Sequence, residues 1–323
     1  MSTHPLPVYE LHGLRVASVI PLGVPKSDRS TVDLEIRRGA TAAVPAAPPP
    51  GKLIREFTWG EGNGLACSRD EEGYLLRFYS TCDFRIDSAL RAVEICPDPE
   101  LDPGMLAPLL EGPVISGILA LDGECVLHAS AVEVEGRALA FVGGSGQGKS
   151  TLATLLCLGG ASLVSDDVLR VDLSGEEARC FPGGRRTRLR SNAAALLDSL
   201  PAGEVERTAD DRFGADLAAG RSERPLLTGI LVPQPSRTAE AVRLERLGPT
   251  KAFLVLSTFP RIFGWRDGAP LRPQFEAFTR LARSVPVFNA EVPWGPPFDP
   301  GLAGELLSLT GLVVGEEAVG SEQ

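Results

Sequence analysis

Phe141-Val142-Gly143-Gly144-Ser145-Gly146-Gln147-Gly148-Lys149-Ser150-Thr151 is the stretch from which the rest of this chain can be read. The apolar run from Ala138 to Val142 before it predicts a buried strand, and Ser150-Thr151-Leu152-Ala153 opens a helix. Between them the glycines let backbone N–H groups turn inward, and the N-terminus of a helix favours anions. Gly143, Gly148, Lys149 and Ser150 stand at the spacing of a phosphate-binding loop. Gly143, Gly144, Ser145, Gly146, Gln147, Gly148, Lys149, Ser150 and Thr151 are therefore expected to cradle ATP, with Lys149 at the β/γ-phosphates and Ser150 on Mg²⁺. Lysine is scarce in the chain (Lys26, Lys52, Lys149 and Lys251), so one at the required position stands out from background.

With 323 residues the chain has the length of about two domains. A formal charge of -10 argues against nucleic-acid and anionic-membrane partners, since neither polyanion gains by approaching an acidic surface. The sequence contains no uninterrupted apolar run of about 18 residues. Met1-Ser2-Thr3-His4-Pro5 has no charged segment leading into an apolar one, so neither a membrane span nor a signal peptide is expected and the location is read as cytoplasmic. Cys67, Cys82, Cys96, Cys125, Cys157 and Cys180 are scattered without a C-x-x-C pair, which predicts buried or incidental thiols rather than a zinc site.

Residues 1–104 read as a mostly β N-terminal domain, a candidate for substrate or partner recognition. Strand-like runs at Leu14–Ile20, Thr31–Ile36, Leu53–Thr58 and Leu75–Phe78 alternate with turn-rich stretches. Ala42 to Pro50 reads as an exposed loop, and the proline-rich Cys96 to Gly104 marks the boundary. Residues 105–323 read as an α/β phosphate-loop domain, opened by a helix from Met105 to Leu121. Val126–Glu135 and Arg137–Val142 predict a hairpin turning at Glu135-Gly136 and leading into the loop. The loop helix stops at Gly159-Gly160, and Ala161–Val164 predicts a strand. Gly229–Val232 and Phe253–Leu256 read as strands, Phe275–Val285 and Gly301–Leu312 as helices, and Pro293 to Pro300 as a turn region to which no chemistry is assigned.

Asp166 and Asp167 follow Lys149 by one helix and one strand, which brings both carboxylates to the strand end beside the loop. Phosphoryl transfer needs such groups, one to organise metal or water and one to face an acceptor hydroxyl. The residues alone leave open which aspartate takes which part: Asp166, Asp167 and Lys149 are the catalytic candidates, and Ser150 and Asp166 the metal candidates. His128 lies on the first strand of the hairpin, two positions ahead of Ser130, and is a catalytic or phosphate-contact candidate. Arg185, Arg186, Arg188 and Arg190 are the most concentrated positive charge. They suit either a solvated face or a clamp for phosphate or an acidic acceptor, formed by Arg186, Arg188 and Arg190. Trp59, Trp265 and Trp294 carry no pattern that separates a core role from base stacking.

Taken together, Leu127-His128-Ala129-Ser130-Ala131, the loop Gly143–Thr151 and Leu163-Val164-Ser165-Asp166-Asp167 resemble the catalytic domain of the HPr kinase/phosphorylase family, whose fold is similar to that of phosphoenolpyruvate carboxykinase. The resemblance is specific over about forty residues. It implies that Lys149 and Ser150 are the phosphate and metal positions, Asp167 the base toward an acceptor serine, Asp166 its metal-side neighbour, and His128 the family's histidine before the loop. It further implies ATP and Mg²⁺ as cofactors and a homo-oligomer. The chain lacks the family's downstream Glu-Ile-Arg-Gly segment, linked to phosphate removal, and its N-terminal module differs. It looks more like the divergent HPr-kinase-like proteins of peptide natural-product pathways, including lasso peptides. The expected function is an ATP-dependent kinase of a serine or threonine hydroxyl on a peptide or protein. A small-molecule kinase and a non-catalytic nucleotide-gated binding module are the alternatives.

Overall fold

A computed structural model describes residues 6–28, 31–60, 62–184, 186–199, 205–208, 212–218, 220 and 222–312. The N-terminal strands are β1 (Val8–Leu11), β2 (Leu14–Ser18), β3 (Leu34–Arg38), β4 (Lys52–Thr58), β5 (Gly64–Arg69), β6 (Gly73–Phe78), β7 (Cys82–Asp87) and β8 (Ala92–Pro97). They form one sheet in the order β1-β2-β3-β8-β7-β6-β5-β4, mostly antiparallel. The mostly β reading holds, with four strands beyond the four expected. Among them, β7 reads Cys-Asp-Phe-Arg-Ile-Asp, and its buried Phe84 and Ile86 alternate with the exposed Arg85.

A 19-residue helical segment, Pro103–Leu121, follows. It is not the uniform helix expected, because Pro113 offers no N–H and Leu110–Val114 relaxes into a π turn. By length and composition it could cross a membrane, with Glu111 its one carboxylate, yet half of it is buried. Leu106, Leu110, Val114, Ile115, Ile118 and Leu119 share one core with Val16, Ile36, Phe84 and Ile95 of the first sheet. The helix that the sequence assigns to the phosphate-loop unit thus packs with the N-terminal strands.

The remaining strands are β9 (Cys125–Leu127), β10 (Ala129–Val134), β11 (Arg137–Val142), β12 (Ser162–Ser165), β13 (Leu169–Asp172), β14 (Arg179–Cys180), β15 (Arg186–Leu189), β16 (Val205–Arg207), β17 (Phe213–Asp216), β18 (Leu226–Ser236), β19 (Arg243–Arg246) and β20 (Val287–Pro293). One mixed sheet runs β12-β10-β11-β18 and branches to β20 and β19 on one side and β14, β13 and β9 on the other. A small antiparallel sheet, β15-β17-β16, stands apart. The hairpin forms with the expected turn at Glu135 (φ 50°) and Gly136 (φ 78°), but the run Val126–Glu135 breaks at His128 into β9, which pairs with β13, and β10, which pairs with β11; β11 runs parallel to β18. Helices Lys149–Leu158 and Leu302–Leu309 cover one face of this sheet through Leu152, Leu156, Leu302 and Leu306. Helices Pro249–Thr258 and Leu271–Ser284 cover another core with Ala252, Leu256, Phe278 and Leu281.

The segment Phe253–Leu256 is therefore helical, against the strand expectation. Pro249 opens the helix, and Ala252 and Leu256, four residues apart, are its buried positions while Leu254 is exposed. The short apolar run carried no period by which to tell strand from helix. The six cysteines are all free thiols, buried or half-buried.

The first sheet reaches the second through the β1–β2 turn. His12 (φ 52°) is buried there, donating its N–H to the Pro182 carbonyl (2.8 Å) and accepting from Arg170 through its own (2.8 Å). Burial, reinforced by Arg170, pushes the His12 imidazole down from 6.5 to about 3, so it is neutral. Its ring and the Ser165 hydroxyl close on Gly183, where any Cβ would overlap both. The same Ser165 hydroxyl donates to the Val168 carbonyl and so braces the turn that carries Asp166 and Asp167. Gly183→Ala is expected to lower stability by about 1–3 kcal/mol through overpacking, read as an earlier urea midpoint with unchanged slope. An unchanged midpoint would mean that this junction is looser than drawn.

Candidate functional site

Register delivers the first residues of the site. The β10–β11 hairpin pairs Ala129 with Val142, so His128 lies one step beyond it, level with Gly143 where the loop leaves β11. The loop ends on Gly148 (φ 84°), and helix Lys149–Leu158 begins without a side-chain cap. Its first-turn N–H groups have no partners one turn earlier, which suits them to an anion. Within the loop the Gln147 Oε1 accepts from the Gly144 N–H (2.5 Å), so this side chain braces the loop.

On the other flank, β12 pairs antiparallel with β10 and ends at Ser165, opposite Ala131. Asp166 and Asp167 follow, and the chain turns at Asp167 (φ 72°), a left-handed conformation costing a non-glycine residue about 1 kcal/mol or more. The turn sends the two carboxylates to different neighbours. Asp166 Oδ1 accepts from Ser130 Oγ (2.5 Å) and Ser150 Oγ (2.8 Å), and its Oδ2 from the Arg188 N–H (3.4 Å). Asp167 Oδ1 lies 3.1 Å from His128 Nδ1, and its Oδ2 lies 2.9 Å from Arg261 Nη2 and 4.0 Å from Arg188 Nη2.

Lys149 folds over its own loop, donating to Gly143 O (2.9 Å) and Gly144 O (3.0 Å), with His128 Nε2 at 3.1 Å. An ammonium can only donate, so His128 Nε2 accepts and the ring proton sits on Nδ1, facing Asp167. Lys149, His128 and Asp167 thus form one hydrogen-bonded chain. Burial opposes ionisation of Asp167, but Arg261, then His128 and Arg188, outweigh it and hold the carboxyl far below the usual carboxylate range. On the back wall is Gly112 of the π turn, where an added Cβ would stand 3.2 Å from Arg261 Nη2 and 3.3 Å from Asp167 Oδ2.

A cavity of about 170 Å³ opens over these groups, bounded by His128, Lys149, Ser150, Asp166 and Asp167 at one part and Thr151, Trp294 and Phe298 at another. Ser145, Gly146, Gly148, Lys149, Ser150 and Thr151 of the loop line it, while Gly143, Gly144 and Gln147 support it from beneath. Of the arginine cluster, Arg188 and Arg190 line it, and Arg190 Nη2 donates to Ser145 Oγ (3.0 Å). Arg186 does not, and instead pairs with Glu206 at 2.5 Å. Arg185 lies outside the described residues. The expected clamp therefore reduces to Arg188 and Arg190.

The sequence reading missed Arg261, Ser130, Arg212 and Phe298, and left Trp294 open between a core role and base stacking. Arg261 follows helix Pro249–Thr258, and its backbone docks along β9, donating to Val126 O (3.4 Å). No local motif marks it. Trp294 and Phe298 come from the proline-rich turn after β20 to which no chemistry was assigned.

No protein-family model matches the chain, and no curated protein matches it. A solved structure, the Hpr(Ser) kinase/phosphatase from Coxiella burnetii, aligns with 58% of this chain and 89% of that chain at 13% identity and a TM-score of 0.30.

The Lys149 ammonium is pushed down from 10.5 to about 8, first by burial, with Asp166 and Asp167 acting the other way. Between these values the unfolded chain holds the proton more tightly than the folded one, so stability rises with pH across the window. Below it the burial penalty is present in full. Relative to Lys149→Met, the wild type should gain stability as pH rises from about 8 to about 10.5. Denaturant unfolding of both proteins at the two ends checks this, and parallel behaviour would contradict it.

Proposed function

We propose that this chain is an ATP- and Mg²⁺-dependent kinase that transfers the γ-phosphoryl group to a serine or threonine hydroxyl of a peptide or protein. The observation that carries the reading is the meeting of Lys149 and Asp167, through His128, in the cavity that the loop lines. A phosphate-binding cation and an acceptor-facing carboxylate lie either side of one imidazole.

Phosphate oxygens offer Lys149 better acceptors than the Gly143 and Gly144 carbonyls it now holds, and their charge favours its protonated form. Arg188 and Arg190, which also line the cavity, add positive charge. Ser150 Oγ and Asp166 Oδ1, joined at 2.8 Å, are hard oxygen donors that would hold Mg²⁺, which would neutralise charge on the phosphate oxygens. Among the described residues no cluster of three or more His, Cys, Asp or Glu forms a metal cage, which fits a metal that arrives with the nucleotide.

Asp167 accepts the hydrogen of the incoming hydroxyl. A carboxylate made this acidic by Arg261 and His128 is a weak proton acceptor, so its main work is orientation. Proton transfer comes late, when the attacking oxygen has begun to bond to phosphorus and has become acidic. The O–H bond breaks, the oxygen–phosphorus bond forms, the bond from phosphorus to the β-phosphate oxygen breaks, and ADP leaves while Asp167 carries the proton.

Transfer of label from γ-labelled ATP with Mg²⁺ to serine-containing peptides, free serine, free threonine and buffer tests the reading. Label is expected on peptides. Asp167→Asn should cut transfer by about 10²–10⁴ while ATP still binds. Tight ATP binding with no transfer from the wild type to any acceptor would favour a binding module, and label on free amino acids alone a small-molecule kinase. Arg261→Gln removes the strongest support for the Asp167 anion, so the acidic limb of its pH–rate profile should move to higher pH. A limb that stays in place would show that Asp167 is not the titrating group.

A further inference from the structure

The proline-rich turn after β20 is the part of the cavity wall that phosphate chemistry leaves unexplained. Trp294 and Phe298 both line the cavity, half-buried, with ring centroids 5.3 Å apart and planes at 88°. The Trp294 backbone is tied to the end of β18, its N–H donating to Ser236 O (3.0 Å). Its indole lies against Gly148, the helix-capping glycine of the loop, so closely that any Cβ there would overlap the ring. Gly148 therefore answers two constraints, its positive φ and the aromatic ring beside it.

Asp167, His128 and Lys149 occupy the part of the cavity where a terminal phosphate would be transferred, while Gly148 stands beside the Trp294 ring. A polyphosphate needs no aromatic surface, whereas the purine at its far end has a flat π face. Two rings at right angles, held by the core beneath, offer such a face one wall to stack on and one to abut. Trp59 is an exposed residue beside Phe57, and Trp265 packs against the N-terminal core, so neither competes for this role.

We infer that Trp294 and Phe298 form the shelf for the purine base of the nucleotide, selecting a nucleoside triphosphate over inorganic polyphosphate. The inference rests on the phosphate-site reading above and adds its second half. Stacking of this kind is sequence-tolerant, because every base has a π face. The shelf accordingly recognises an aromatic base rather than one base's hydrogen-bonding edge.

The test measures binding of Mg·ATP and of inorganic tripolyphosphate to wild type, Trp294→Leu and Trp294→Phe by calorimetry, with tryptophan emission followed in parallel. The wild type should bind ATP with quenched emission and tripolyphosphate without it. Trp294→Leu should lose that quenching and bind ATP at least about tenfold more weakly while keeping its tripolyphosphate affinity. Trp294→Phe, which keeps a ring, should retain most of the ATP affinity and control for folding. Equal ATP affinity in wild type and Trp294→Leu would overturn the shelf and leave the phosphate site standing. So would tripolyphosphate and ATP binding the wild type alike. Loss of both ligands by Trp294→Leu with both retained by Trp294→Phe would mean that the ring only supports the loop, which also overturns the shelf. Failure of the wild type to bind either ligand would overturn the shelf and the kinase reading together.

Discussion

The site depends on the ion pair between Asp167 and Arg261. Asp167 is a half-buried carboxylate on a left-handed turn, and an anion drawn partly out of water needs a compensating charge. Arg261 supplies it at 2.9 Å, from a segment docked against β9 that approaches from a different part of the chain. With Asp167 anionic, His128 places its proton on Nδ1, and its free Nε2 receives Lys149. Removing Arg261 would leave the anion to His128 and the more distant Arg188, so the orientation of His128 and Lys149 leans on Arg261 through Asp167.

That dependence explains what could and could not be read from the sequence. The hairpin, the loop, its helix and the Asp166-Asp167 pair were legible because each is fixed within about forty residues by local rules: turn glycines, an apolar run, a helix, a strand. His128 was legible through its strand, since the register that pairs Ala129 with Val142 sets it level with Gly143. Arg261, 94 residues beyond Asp167, was not, since nothing local distinguishes it from other arginines in an arginine-rich chain. Trp294 and Phe298 were hidden for a related reason. Prolines made their segment look like a surface turn, and only the pairing of β20 with β18 brings it to the loop.

The remaining misreadings have local causes too. Phe253–Leu256 is too short an apolar run to show a period, and packing on helix Leu271–Ser284 decided in favour of helix. The arginine cluster was read as one patch, but β15 buries Thr187 and Leu189, and Arg188 and Arg190 meet the cavity while Arg186 is engaged by Glu206 on β16. Concentrated charge in sequence identified the neighbourhood and not the individual contacts.

The N-terminal unit is more than an appendage to this arrangement. Its core includes helix Pro103–Leu121, and the π turn at Pro113 presents Gly112 to Arg261 and Asp167 at a distance where even a Cβ would be crowded. From the β1–β2 turn, His12 packs on Gly183 together with Ser165, whose hydroxyl braces the same aspartate turn. The β unit thus bears on the surroundings of the residue proposed to meet the acceptor at two places. In the proposed reaction a carboxylate as acidic as Asp167 would contribute chiefly by where it stands, so fixing its position is the effect the N-terminal unit would have on the chemistry.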